Sequence, residues 1–401
     1  MNTTRFKNIL FVVFTSLLCA SCAQKVAHTP LSKSEYNAID FADSKRVERW
    51  WGDVKPPLLE KNLQHQAIIL QQRFPSAVKA KSDTSPSFDA LTLSGGGADG
   101  AFGAGILIGW TQSGNRPEFE LVVGTSTGAV IAPFAFLGAE YDDTLFEIYS
   151  QLTQEKVYQS QLLSGILGGS SIADTKYLKL QIKKYITLDL IKKIAIEHKK
   201  ARSLLVVTTH FDAMRPMIWD IGTIAMKENI AAVEQIREII LASASIPIYF
   251  PPVAIELHGK TKPYTELHVD GGLTRNAFSY PAQISIDEIE RIQGLYFNRN
   301  IYVIQNGNSR MQYEPAETDL SSIAARTMLG LLQDKINSDI ERIYYLSQRD
   351  KLNFNMIEIP DDFIADKAIE FDSTYINNLL KLGIKLGKNG DFWHKKPPSE
   401  R

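Results

Sequence analysis

The chain has 401 residues, 44% hydrophobic and 22% charged, enough apolar material for one large core or two smaller ones. Its formal net charge is −1, so there is no electrostatic case for nucleic acid as a partner. Both cysteines, Cys19 and Cys22, lie near the N-terminus, which excludes disulfides, thiolate metal sites and a cysteine nucleophile from the body of the protein.

The N-terminus has the layout of a secretory signal. Arg5 and Lys7 precede an apolar or small-residue run from Ile9 to Leu18, and Cys19-Ala20-Ser21-Cys22 follows. This resembles a bacterial lipoprotein signal over residues 1–21, with Cys22 as the lipidated residue. Ser21 fits that pattern, whereas Cys19 stands where such signals usually carry leucine. Plain secretion and an uncleaved anchor are the competing readings. Ala23, rather than a retaining aspartate, follows Cys22. By the same resemblance this points to the bacterial envelope, at the outer membrane and facing the periplasm. No other stretch is long and apolar enough to span a bilayer.

Residues 22–87 read as a tether and helical arm. Arg49-Trp50-Trp51-Gly52-Asp53 forms an aromatic island, expected to pack its indoles on the body as a strand or helix. Residues 58–74 carry helical spacing, and the Ser/Pro/Asp-rich stretch Ser82–Ser87 marks a boundary. From Phe88 the pattern alternates. Ala90–Leu93, Leu121–Val123, Ser203–Thr208, Met217–Trp219, Leu267–Val269, Ile301–Ile304 and Met356–Ile359 read as strands. Ala101–Trp110, Ile230–Ala242 and Ser321–Ser347 read as helices. Apolar strands interleaved with helices imply an α/β fold with a mostly parallel sheet covered on both faces. Residues 88–310 form the expected core, and 311–401 a C-terminal helical extension completing the sheet.

Four motifs carry chemistry or frame it. Gly124-Thr125-Ser126-Thr127-Gly128 sits between a strand and an apolar helix, which would present the Ser126 hydroxyl on a strained turn. A small-residue turn with a satisfied serine is the bland reading of the same five residues. Ser94-Gly95-Gly96-Gly97-Ala98-Asp99-Gly100 follows the first strand and can turn successive N–H groups into an anion-binding or oxyanion loop. It lacks the Gly-Lys-Ser/Thr ending of a nucleotide loop. Asp270-Gly271-Gly272 ends a strand, where a carboxylate reaches the crevice in which open α/β sheets bind ligands. The stretch Ala242-Ser243-Ala244-Ser245 through Pro252 has no chemistry of its own and reads as packing.

In this order the four motifs resemble the patatin-like phospholipase family, over roughly Phe88 to Asn306. The resemblance implies a three-layer α/β/α fold and hydrolysis of lipid acyl esters through an acyl-enzyme. It also implies a Ser–Asp dyad, with Ser126 as nucleophile and Asp270 as base. Backbone N–H groups of Gly95, Gly96, Gly97 and Thr127 would then serve as oxyanion donors. No cofactor or metal is implied, and the partner is a membrane lipid, reached through the lipid anchor. One position departs: the family's loop usually has Arg or Lys two places after the third glycine, and here it is Asp99. That substitution leaves backbone donors intact but puts the headgroup in doubt. A histidine triad fits less well, because His394, near the C-terminus, is the only histidine after Asp270, and His268 reads as structural. A non-catalytic lipid-binding or scaffolding lipoprotein and a general carboxylesterase are the alternatives.

Overall fold

The alternation of apolar strands and helices builds a nine-stranded sheet: β1 (Arg49–Trp51), β2 (Ser87–Leu93), β3 (Leu121–Thr125), β4 (Ser203–His210), β5 (Arg215–Asp220), β6 (Val253–His258), β7 (Pro263–Asp270), β8 (Asn298–Ile304) and β9 (Asn353–Ile357). The computed structural model describes residues 26–39, 41, 47–78, 82, 84–152, 175–258, 263–311, 313, 315–363, 372–390 and 392–401. Cys22 and the signal expected over residues 1–21 lie outside them.

The spatial order is β1-β5-β4-β3-β2-β8-β9, and the central run β4-β3-β2-β8-β9 is parallel throughout. The parallel reading therefore holds for the centre. Toward the other edge β5 and β1 run antiparallel, and β7 pairs antiparallel with both β4 and β6. The aromatic island is the edge strand β1, so the N-terminal arm is sewn into the sheet rather than lying loosely over it.

Side chains alternate across the strands, as the two-residue period of a pleated sheet requires. Leu91, Leu93, Val122, Leu204 and Val206 face one layer, built by helices α1 (Gly100–Gln112), α2 (Thr127–Leu137), α3 (Asp142–Ser150), α4 (Lys176–Tyr185), α5 (Ile230–Ser243) and α7 (Ser373–Lys388). Ala90, Ile301 and Val303 face the opposite layer, where Ile336, Ile340 and Ile343 of α6 (Leu320–Arg349) cover them.

Helices α1 and α7 pack backbone to backbone. A Cβ on Gly105 or Gly109 would strike the carbonyls of Leu380 or Ile384, and one on Gly383 or Gly387 those of Phe102 or Ile106. Glycines four apart on each helix make that approach sterically possible. The C-terminal segment is thus part of the core layer behind the glycine loop.

Candidate active site

Strand β3 ends at Thr125, and α2 begins at Thr127. Ser126 alone makes the turn, at φ 55° and ψ −124°, a backbone region that costs a non-glycine residue on the order of 1–3 kcal/mol. The flanking glycines permit the crossing: a Cβ on Gly124 would strike the Gly128 carbonyl, and one on Gly128 the Leu93 carbonyl. Ser126 therefore has the strand–turn–helix geometry of a nucleophile elbow, at the end of the parallel strands.

Strand register brings Asp270 to it. Along the edge of β4, Leu121–Thr125 pair with Ser203–Val207. Where β3 leaves the sheet, β7 enters from the opposite direction, and its last residue, Asp270, pairs with Thr208. Ser126 and Asp270 thus follow adjacent rungs on the same edge. Gly271 must be glycine, since a Cβ there would strike the Val207 carbonyl.

The Asp270 carboxyl is 1% exposed. Its Oδ1 accepts the Gly272 N–H at 2.7 Å, and its Oδ2 is buried with no hydrogen-bond partner. Burial raises this carboxyl from 3.8 to about 7, against the lowering influence of the nearby Ser126 hydroxyl and the Gly272 N–H. The hydroxyl is close enough to exert that influence, yet no conventional hydrogen bond joins it to Oδ2.

The glycine loop lies against the serine: a Cβ on Gly95 would come within 3.0 Å of the Ser126 Cβ. Gly95 does not have the free N–H expected of it. That N–H donates to Asn276 Oδ1 at 2.8 Å, because Asn276, on the chain leaving Gly272, reaches back across the site. Asn276 is held in turn by Leu332 O and by Asp339, which accepts its backbone N–H at 2.7 Å. Among the described residues no acceptor takes the N–H groups of Gly96 or Gly97. Gly97 adopts φ 57° and, like Ser126 and Thr127, lines the pocket. Thr127 is the first residue of α2, so its N–H has no intrahelical acceptor. Asp99 points away toward the C-terminal helix, accepting from the Tyr375 hydroxyl at 2.9 Å.

The pocket at Ser126 is walled by apolar side chains from α2, α3, α4, the end of α5 and the segment after it, including Phe134, Ile148, Leu178, Ile182, Ile240 and Phe250. Tyr149 closes the wall beside the elbow, its hydroxyl 2.6 Å from Thr127 Oγ1. Among the described residues no group of three His, Cys, Asp or Glu side chains is placed to hold a metal.

His268 is occupied elsewhere. Trp219 Nε1–H reaches Thr208 Oγ1, which meets His268 Nδ1 at 2.9 Å, and His268 Nε2 meets Glu266 at 3.1 Å. Burial lowers His268 to about 4, outweighing Glu266, so the imidazole is neutral at neutral pH. Burial pushes Glu266 upward, but Arg49 and His268 more than reverse it and keep it ionised. His394 is exposed, and its backbone bridges to Met356.

Sequence reasoning missed two residues here, Asn276 and Ser243. Ser243 Oγ accepts the Ser126 N–H at 2.9 Å and donates to the Val207 carbonyl at 2.6 Å.

Residues 91–283 match the family model described as patatin-like phospholipase. A crystal structure of VipD from Legionella pneumophila is similar at 13% identity and a TM-score of 0.32, covering 77% of this chain and 69% of that one. No curated protein matches the chain. The match gives residues 91–283 a patatin-like phospholipase domain and supports an enzyme of the phospholipase or esterase kind.

Proposed function

We propose that this patatin-like phospholipase domain hydrolyses lipid acyl esters with Ser126 as nucleophile and Asp270 as its only base. The observation that carries this reading is the register of β4. It sets a strained serine beside a buried carboxyl whose Oδ2 has no partner and whose ionisation lies near neutrality. A base of that pKa balances availability against proton affinity at neutral pH.

In the proposed cycle, Ser126 Oγ attacks the ester carbonyl carbon and its proton passes to Asp270 Oδ2. The negative charge on the carbonyl oxygen is taken by the N–H groups of Gly96, Gly97 and Thr127, which need no side chain. Collapse breaks the C–O bond, and the leaving alkoxide takes the proton from Asp270. Water then attacks the acyl-enzyme, giving a proton to Asp270, which returns it to Ser126 as the fatty acid leaves. The apolar walls of the pocket suit the acyl chain of a phospholipid or lysophospholipid. Acylation at Cys22 would hold the enzyme at the outer membrane beside this substrate.

The test is Ser126→Ala and Asp270→Asn against short-chain nitrophenyl esters and phospholipid vesicles. Each should lower kcat by at least about 10³-fold. Variants as fast as the parent protein would overturn the dyad.

A further inference from the structure

The Ala-Ser-Ala-Ser stretch at the end of α5 reads as packing in the sequence, yet it touches both members of the proposed dyad. Ser243 Oγ takes the N–H of Ser126 at 2.9 Å. Two residues on, the Ser245 carbonyl takes the N–H of Asp270 at 2.9 Å. Ser243 and Ser245 are both 0% exposed, so water does not substitute for either contact.

We propose that Ser243 is a positioning residue for the hydrolysis, its hydroxyl fixing the backbone of the nucleophile at a set distance from the carboxylate. This rests on the Ser126–Asp270 reading.

The geometry leaves the hydroxyl one arrangement. It donates to the Val207 carbonyl at 2.6 Å, so its lone pairs face the Ser126 N–H. Val207 is the residue paired with Thr125, immediately before the elbow, and its carbonyl is the atom that Gly271 must clear. The end of β3, the edge of β4 and the end of α5 therefore meet at one hydroxyl, and the end of β7 passes the carbonyl that it bonds.

Two consequences follow. The Ser126 turn, strained at φ 55°, is held by a partner that can neither rotate away nor be replaced by water. The Ser126 N–H is also withdrawn from the oxyanion, leaving the charge to the glycine loop and Thr127.

The test compares the full-length protein with Ser243→Ala, Ser243→Cys and Ser126→Ala. Ser347→Ala serves as the control, an equally buried serine near the C-terminal end of α6 whose hydroxyl donates to the Ile343 carbonyl and, among the described residues, to nothing at the site. With a nitrophenyl ester, Ser243→Ala should lower kcat about 10- to 100-fold and change KM less than about 2-fold, since the reacting atoms shift while the acyl pocket is untouched. The rate of fluorophosphonate labelling at Ser126 should fall in step. The pH at which the acid limb is half-developed should not move, because Ser243 does not touch the Asp270 side chain. A merely loosened core would hydrate Asp270 and shift that limb to lower pH.

If Ser243→Ala fails to fold, Ser243→Cys carries the test. It keeps nearly the same volume but is a poorer acceptor, and it should still cost kcat several-fold. Wild-type kcat and labelling in the folded variant would overturn the positioning role. So would a displaced acid limb. A parent protein no faster than Ser126→Ala would instead overturn the dyad itself, and the positioning role with it.

Discussion

Replacing Asp270 by asparagine should lower kcat by at least about 10³-fold, and should favour the fold increasingly as pH rises. A buried carboxyl raised from 3.8 to about 7 destabilises its ionised form by roughly 4 kcal/mol. Between those values the native protein binds a proton that the unfolded chain has released, so stability falls as pH rises through that window. Asparagine removes this dependence. Its Oδ1 keeps the Gly272 N–H, while its amide nitrogen, in the place of the partnerless Oδ2, adds a pH-independent cost of about 1–3 kcal/mol. The difference between variant and parent should therefore move in favour of the variant by roughly 2–3 kcal/mol from pH 5 to pH 8, whatever the fixed cost. Urea titrations of both proteins at the two pH values measure it. Parallel pH dependence in the two proteins would refute the assignment of a near-neutral, buried Asp270.

In the proposed dyad the same carboxyl sets the pH–rate profile. Only its ionised form would accept the Ser126 proton, so kcat/KM should fall about tenfold per unit below a limb near pH 7. A limb near pH 4 would place the base in water. Arg49→Ala should destabilise the protein by about 3–5 kcal/mol in a denaturant titration at pH 7. It leaves Glu266, 2% exposed, without its guanidinium on the strand that ends in Asp270. A loss below about 1 kcal/mol would mean that the arm does not support that strand.

The elbow and the carboxylate were legible because each is encoded locally. Glycines flank Ser126 where strand and helix cross, and Asp270 closes an apolar strand with two glycines after it. The parallel centre was legible from apolar runs that alternate with helices. What escaped depends on residues distant in sequence. The Gly95 N–H is taken by an asparagine 181 residues away, and the Ser126 N–H by a serine 117 residues away. Asn276 sits in no short motif, and the Ala242–Pro252 stretch that holds Ser243 reads as packing, since a buried serine or asparagine reads the same whether it bonds a neighbour or the backbone of Ser126. The antiparallel entry of β7 escaped for the same reason, because register against β4 is a tertiary choice. Helix α7 went unread although Gly383 and Gly387 repeat the four-residue spacing of Gly105 and Gly109. That match becomes a signal only when the two helices are considered together. Asp99 departs from the family pattern in a way the sequence leaves open, and its bond to Tyr375 gives the substitution a role in joining the loop to α7.

The most direct measurement is the site of the covalent acyl-enzyme. The protein would be mixed with a nitrophenyl ester, quenched in acid, digested and mapped by mass spectrometry. The account predicts one acyl adduct, on the peptide containing Ser126, formed in the parent protein and absent from Ser126→Ala. Turnover with no adduct at Ser126, or an adduct that persists in Ser126→Ala, would contradict it.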